Sequence, residues 1–491
     1  MLRLALALLV LLITALPGCA VNPVSGKKQV VLMSEEKEIS LGRQMDPEIR
    51  KEYGVYEDPK LQGYVQRVGE KLAGLSHRPE LFYRFTVLDS AEVNAFALPG
   101  GYVYITRGLL AYLNSEADLA AVLGHEIGHV TARHAVRQYT TAMAAQIGYT
   151  IGAIFVPELG SQAGSTLFNV LGTALVRGYG REHELESDRL GAQYLALAGY
   201  DPDAILEVLE VLKDQEEFEV ERAKLEGREP RVYHGVFATH PSNDQRLQEV
   251  VKEAQTQKAV VPTIGRSDYL AHIDGLVFGD SVKQGIRHAN KFYHKDLGIA
   301  LTFPEGWRIE NRPDRLLAVS PRRTGQMLVK LEDLNRRISP SEFMRERLKL
   351  NNLKQAGTLQ GTGLPSYTGV ARMPWSFGAG ASRKLDTRVA LLFFRDKAYV
   401  FYGASTSREQ FNGDDRLFLE TARSLHALTS AEQQLAEGLR IRLIDVSVGS
   451  SFAKLSANSP IPNYPEKILR LLNDKYPQGE PQPGSKLKIV Q

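Results

Sequence analysis

Cysteine is almost absent from this 491-residue chain, which carries one, Cys19. A single thiol excludes an internal disulfide framework and any zinc site built on thiolates. A bound metal would therefore rest on His, Asp and Glu. Charge of one sign is also lacking, because 60 Lys and Arg oppose 57 Asp and Glu for a net charge of +3. Without a basic excess or a long run of like charge, no nucleic acid is expected as a partner, and a disordered polyelectrolyte is excluded. Long apolar runs are missing too: Leu4 to Ile13, 142–156 and 167–176 all fall short of the roughly 18 residues a membrane helix needs. No solenoid-type repeat appears. At roughly 100–200 residues per domain, the length allows about two to four domains.

The one cysteine has an informative place. Arg3, the apolar run from Leu4 and then Leu16-Pro17-Gly18-Cys19 have the layout of a secretory signal. Leu16 to Cys19 resembles a bacterial lipobox, in which the cysteine becomes the acylated first residue. Ala20 rather than Asp follows, which by that sorting rule implies the periplasmic side of the outer membrane. Each buried methylene of an acyl chain contributes about 0.8 kcal/mol, so several chains at Cys19 would anchor the protein durably to the membrane; the alternative is an ordinary cleaved signal with an incidental cysteine.

The chain then divides into segments. After the signal peptide (1–19), residues 20–34 read as a short tether of polar and turn residues. Residues 35–260 are mainly helical, with strand-like pieces at 81–88 and 101–106. A second segment, 265–428, is α+β with an antiparallel sheet: Val389–Phe394 and Tyr399–Tyr402 flank the turn Arg395-Asp396-Lys397, Ser339 to Glu342 is a helix start, and Asp414–Leu425 a closing helix. Residues 438–491 have a strand–helix–helix–strand order. The fold class is therefore α+β.

The chemistry lies in His125-Glu126-Ile127-Gly128-His129, reached from the capping signal Ser115 to Asp118 through Leu119, Val122 and Leu123 at helical spacing. At 100° per residue the two histidines sit about 40° and one turn apart, so one zinc ion can bridge their imidazoles. Glu126 lies on the neighbouring face, placed to take the proton of a water on that zinc. For the third ligand the candidates are His134, His183, Glu182, Glu184 and Glu186. His134 falls about 180° from His125 if the helix continues, and so faces away. Glu184 and Asp188, four apart on a second helix, face the same way. Glu184 is assigned to the metal, and Asp188 to the free N–H of a ligand histidine.

Four pieces in order across residues 90–250 resemble the HtpX and CAAX-prenyl-protease type of zinc metallopeptidase, and its periplasmic quality-control branch: Asn94 to Leu109, Leu123 to His134, Glu184 to Asp188, and Thr239-His240-Pro241 with Arg246. The resemblance implies a mainly helical gluzincin-type domain over 35–260 that holds one zinc per chain. By it, His125, His129 and Glu184 are ligands, Glu126 the base, and Asp188 the partner of a ligand histidine. It also implies that His240 lies near the metal, where it either occupies the open position of a resting enzyme or stabilises the oxyanion, a task Arg246 or a tyrosine would share. Substrates of that branch are unfolded or misassembled envelope proteins.

Phe96-Ala97-Leu98, the Pro99-Gly100-Gly101 turn and the alternating Tyr102 to Ile105 read as a small hairpin. Its edge is either a site for pairing with an extended peptide or a supporting strand only. The apolar pieces at 142–156 and 167–176 read as a helical hairpin, over the cleft, on the membrane surface or simply buried. Residues 438–491 resemble a LysM module through their βααβ order, Leu472-Asn473 and Pro483-Gly484, although Val448-Gly449-Ser450 replaces the usual opening; the resemblance implies peptidoglycan as a ligand. Two functions compete. In one the chain is a zinc endopeptidase; in the other it is a chaperone-like or cell-wall-binding protein with a latched or structural metal. A structural zinc has no use for Glu126, which favours the enzyme.

Overall fold

The computed structural model describes residues 19–31, 33–141, 179–227, 262–377 and 382–491, together with residues 230, 249, 250, 252, 253 and 256. It is α+β, and the chain divides into two compact units. The first comprises the chain up to Arg50, Gly54–Phe278 and Arg440–Gln491; the second comprises Lys51–Tyr53 and Gly279–Leu439. Among the described residues, no helix is long and apolar enough to cross a membrane. The apolar pieces at 142–156 and 167–176 lie outside those residues.

The first unit opens with a hairpin where a tether was expected. Strand β1 (Cys19–Val21) pairs antiparallel with β2 (Lys28–Val30). The reason is local: Asn22 Oδ1 accepts from the N–H groups of Val24 and Ser25, and Gly26 takes φ +67°, so the polar residues form a turn. Helix α1 (Glu35–Tyr53) is capped by Ser34 and carries Glu35, Glu36 and Glu38 in its first turn, where the helix dipole favours negative charge. Helix α2 (Pro59–Ala73) starts on Asp58 with proline at its first position, and buries Leu61, Val65, Val68 and Leu72.

Three strands follow: β3 (Arg84–Leu88), β4 (Ala95–Leu98) and β5 (Tyr102–Thr106), in the order β3-β5-β4. The Pro99-Gly100-Gly101 turn joins β4 to β5 in the expected antiparallel register, Leu98 opposite Tyr102 and Phe96 opposite Tyr104. Both glycines have positive φ, +80° and +91°, which a side chain at either position would strain. Among the described residues there follow helices α3 (Arg107–Tyr112), α4 (Glu116–Thr131), α5 (Arg181–Leu197), α6 (Ala204–Leu225) and α7 (Arg266–Ile273), and strand β6 (Val277–Phe278).

The first unit runs on to Phe278, past the expected boundary at 260–265, and the chain returns to it at Arg440, beside the expected 438. Helix α7 buries Tyr269, Leu270 and Ile273 and belongs to the first unit; the Tyr269 hydroxyl donates to the Leu110 carbonyl at 2.6 Å. Residues 440–491 do not stand apart either. Their strands Leu439–Asp445 and Lys486–Val490 form a three-stranded sheet with β6, and the Ile441 N–H donates to Leu276 O at 2.8 Å. The βααβ order is present, with short helices Phe452–Ser456 and Pro465–Leu472 between those strands. Its last strand carries Lys488, which is fully buried and donates to the carbonyls of Ala111 and Leu113, 2.8 Å each. Burial holds that amine well below the ordinary lysine range.

The second unit is a chain insertion between β6 and Leu439. Seven antiparallel strands run in the order 308–312, 315–319, 325–333, 397–405, 383–394, 366–375 and 354–357. Alternation decides what each face buries. Ala390, Leu392, Tyr399 and Phe401 join the cluster that includes Phe411 and Phe418 of helix Arg408–Arg423. Val389, Leu391, Ala398 and Val400 pack with Phe343 and Met344 of helix Pro340–Glu346 on the other face. That second helix has the expected cap at Ser339; the first starts at Arg408, six residues earlier than Asp414, because Ser407 caps it.

Replacing Lys488 by Met would leave the two carbonyls of Ala111 and Leu113 without their donor. An unsatisfied buried acceptor costs about 1–3 kcal/mol. Urea melts of Lys488→Met should show a loss of that size, and unchanged stability would show that the last strand does not brace the first unit.

Candidate metal centre

Helix α4 is buried along nearly its whole length, and His125 is its one partly exposed member past Glu116. Its first turn is closed by two side chains. Ser115 Oγ accepts from the Asp118 N–H, and Asp118 Oδ2 accepts from the Asn114 N–H at 2.7 Å. The aspartate thus reaches one residue beyond the cap, rather than the cap residue that a capping box would use.

Glycines set the distance to α5. A Cβ at Gly128 would lie 3.0 Å from Ser187 Cα, and one at Gly191 would lie 3.1 Å from the His125 backbone nitrogen. The two backbones therefore touch. Glu184, one turn before Ser187, is carried to the two histidines by this contact.

His125 Nε2 and His129 Nε2 are 3.0 Å apart, and each is 3.6 Å from one carboxylate oxygen of Glu184, which is 0% exposed. Donors on a tetrahedral zinc at about 2.0–2.1 Å stand about 3.3 Å from one another. The three separations straddle that value, so these residues fit the ion. A buried carboxylate facing two imidazole nitrogens is also the hard-and-borderline donor set that zinc accepts. His125 Nδ1 lies 2.7 Å from Asp188 Oδ1, so the hydrogen is on Nδ1 and the Nε2 lone pair is left for the metal.

Glu184 is the acidic residue brought to the pair; among the described residues no other metal group forms. Glu182 is exposed. Glu186 turns away, taking His134 Nε2 at 3.1 Å and Arg137 Nη1 at 2.7 Å on one oxygen. The His134 contact, ahead of Arg137, holds the Glu186 carboxyl down to about 2 despite its partial burial. His183 stacks on His134 with ring centres 4.3 Å apart, and burial lowers it to about 4.

His134 does not face away from the metal pair. Helix α4 ends at Thr131, and Arg133 takes φ +55°, which breaks the 100° count before His134 is reached. The ring returns to His129, with Nδ1 2.8 Å from Nδ1. Tyr179 was not anticipated. It stacks on His129 with ring centres 4.2 Å apart, and burial, then the charges of Glu126 and Glu184, push its hydroxyl above the ordinary tyrosine range.

Glu126 is 2% exposed and lines a cleft of about 40 Å³ with His125 and Asp188. The other walls are apolar: Ala95 of β4, Val122 of α4, and Ile205, Leu209 and Leu212 of α6 are among them. Strand β4 is at the edge of its sheet, so Phe96, Ala97 and Leu98 lie on the strand that borders the cleft. His240 and Arg246 lie outside the described residues, and of Cys19 only the backbone is described.

A family model described as Peptidase family M48 matches residues 59–254, the stretch that contains both metal helices. This segment is a Peptidase family M48 domain. The chain is 30% identical over 262 residues to the beta-barrel assembly-enhancing protease of Yersinia pestis, covering 52% of this chain and 51% of that one. It is 27% identical to the mitochondrial metalloendopeptidase OMA1 of Schizosaccharomyces pombe, over 48% of this chain and 67% of that one. A protease HtpX homolog of Bacillus velezensis is also 27% identical, over 40% of this chain and 70% of that one. The chain spans about half the length of the beta-barrel assembly-enhancing proteases it matches. The M48 match falls where the resemblance in sequence was found, and the LysM-like reading of 438–491 has no counterpart in it.

The helix contact in this M48 domain is testable. Valine is a better helix former than glycine by a few tenths of a kcal/mol, whereas overpacking costs about 1–3 kcal/mol. Gly128→Val should therefore lower the melting temperature and bring bound zinc, measured by mass spectrometry, well below one per chain. Full occupancy at an unchanged melting temperature would contradict the backbone contact.

Proposed function

We propose that this chain is a zinc metalloendopeptidase with Glu126 as its general base. The observation that carries the reading is the convergence of His125, His129 and Glu184, at metal-ligand separations, beside Glu126 in a cleft bordered by the edge strand β4. Zinc on these three ligands supplies Lewis-acid polarisation of a peptide carbonyl and lowers the pKa of water. The protein's own groups do the rest. Glu126 accepts the proton of the attacking water as its oxygen bonds to the carbonyl carbon, then delivers that proton to the departing amine nitrogen. Edge strand β4 offers main-chain hydrogen bonds to an extended substrate, a mode that tolerates many sequences. The apolar walls around Val122 and Leu209 take one substrate side chain next to the scissile bond. By the resemblance in sequence, His240 would serve either as a resting ligand or as a partner of the oxyanion, a task Arg246 would share.

In this reading the protein acts in the envelope. Cys19 carries the lipid anchor on the periplasmic side of the outer membrane, and the substrates are misfolded or stalled envelope proteins, in keeping with relatives named for β-barrel assembly. A groove of about 300 Å³ is lined by Ser450, Ser451, Lys454 and Asn458 together with Leu469 and Gln491, among others. Its hydroxyl, amide and amine groups suit a peptidoglycan chain.

Casein cleavage by the chain without residues 1–19 tests the activity. Glu126→Gln should retain one zinc per chain and lose at least about 10²-fold in rate, the low end of general-base contributions. His240→Ala should cleave faster than wild type; a rate no higher would remove the latch. Zinc-loaded wild type and His240→Ala that both fail to cleave would sink the peptidase reading. For the groove, sedimentation with purified peptidoglycan should recover wild type but not Ser450→Trp, and equal recovery would discard that ligand.

A further inference from the structure

His129 has two ring nitrogens with different neighbours. Nε2 faces His125 and Glu184, on the metal side, while Nδ1 lies 2.8 Å from His134 Nδ1. Two imidazole nitrogens at that distance need one hydrogen and one lone pair between them. The far side of His134 decides which ring has the hydrogen. His134 Nε2 is 3.1 Å from Glu186 Oε2, and the same oxygen takes Arg137 Nη1 at 2.7 Å. A carboxylate paired with a guanidinium is an acceptor only, so the hydrogen of His134 is on Nε2 and its Nδ1 is bare. A bare Nδ1 also suits the Ser187 hydroxyl, 3.3 Å away. His129 must then carry its hydrogen on Nδ1, which leaves the Nε2 lone pair toward Glu184. That is the one neutral tautomer of His129 that can ligate from this side.

We propose that His134, held by Glu186 and Arg137, is a positioning residue that fixes His129 in its metal-binding tautomer, as Asp188 does for His125. The two ligand histidines are thus oriented by unlike partners. His125 donates to a carboxylate directly, whereas His129 donates to a neutral imidazole, with the carboxylate one ring further out. Ring stacking holds the planes in place: Tyr179 lies on His129 and His183 lies on His134. Glutamine is the one amide that preserves the logic, since its Oε1 accepts from the His129 N–H and its Nε2 donates to Glu186.

The proposal rests on the metal reading of the site but not on catalysis, and zinc affinity tests it. Competition with a chromophoric chelator is measured on the chain without residues 1–19, as wild type, His134→Ala, His134→Gln and Glu186→Ala. Loss of such an outer partner lowers metal affinity by about 10–100-fold. His134→Ala should fall in that range, Glu186→Ala should lose about tenfold, and His134→Gln should stay within about threefold of wild type. Wild-type affinity in His134→Ala, or a His134→Gln as weak as a fully relay-deficient chain, overturns the proposal while leaving the metal site standing. If His134→Ala does not fold, retained affinity in Glu186→Ala together with strong loss in His134→Gln overturns it equally. A wild-type chain that binds no zinc overturns the metal reading, and this proposal with it.

Discussion

The contact on which the site depends is the backbone approach of α4 and α5 at Gly124, Gly128 and Gly191. Helices in globular proteins usually pack with axes about 8–10 Å apart, because side chains fill the gap. Glycine removes the filler. Each of these residues gives up about 1 kcal/mol of helix propensity relative to alanine, so their presence in two long helices needs a return. The return is geometric. Only with Ser187 against Gly128 does the carboxylate one turn earlier meet both imidazoles, and the helix that supplies Glu184 supplies Asp188 to His125 as well.

The far end of α4 is held by charge. Glu38 of α1, 1% exposed, takes Arg78 on one oxygen at 2.8 Å and Arg133 on the other at 2.9 Å. Arg78 Nη1 also donates to the Val130 carbonyl, and Arg133 Nη2 to Met33 O. Buried ion clusters contribute little net stability, since desolvation offsets attraction. What this one does is satisfy a carbonyl in the last turn of α4 and fix Arg133 in a left-handed conformation that costs a non-glycine residue about 1–2 kcal/mol. That conformation turns the chain so that His134 meets His129. The cluster and the histidine contact are therefore parts of one device.

How much of this was legible in the sequence follows from the range of each interaction. His125, Glu126 and His129 belong to one helix, and periodicity sufficed to place them. Glu184 and Asp188 were legible as one face of a second helix, because two carboxylates four apart must project together. His134 was not, for the periodic count assumes a continuous helix, and neither Ala132 nor Arg133 is a residue that signals a break. The break is imposed by Glu38, ninety-five positions earlier in the chain. Tyr179 carries no pattern at all, being a single aromatic ahead of the helix. In the second unit, the apolar runs on either side of Arg395-Asp396-Lys397 placed Val389–Phe394 and its partner strand, continuous because both faces of that sheet are buried locally. The separate domain expected over 438–491 is instead joined to the first unit through β6, which has only two residues, too few to register as a strand.

Both ends of α4 are consequently tied to segments remote in sequence. At its start, Arg266 Nη1 donates to Asn114 O, and Lys488 to the carbonyls of Ala111 and Leu113; at its end stand Glu38 and Arg78. Few of these groups help the chain fold at low cost, since a buried lysine and a buried glutamate each carry a desolvation penalty that an apolar pair would avoid. Their common effect is on position. Misplacement of a reacting group by 1 Å can cost about 10²-fold in rate, about 2.7 kcal/mol, which is of the same size as the stability such groups forgo. A helix clamped at both ends, with its two metal-side imidazoles held from behind by Asp188 and His134, has its ligand side chains oriented by contacts within the protein.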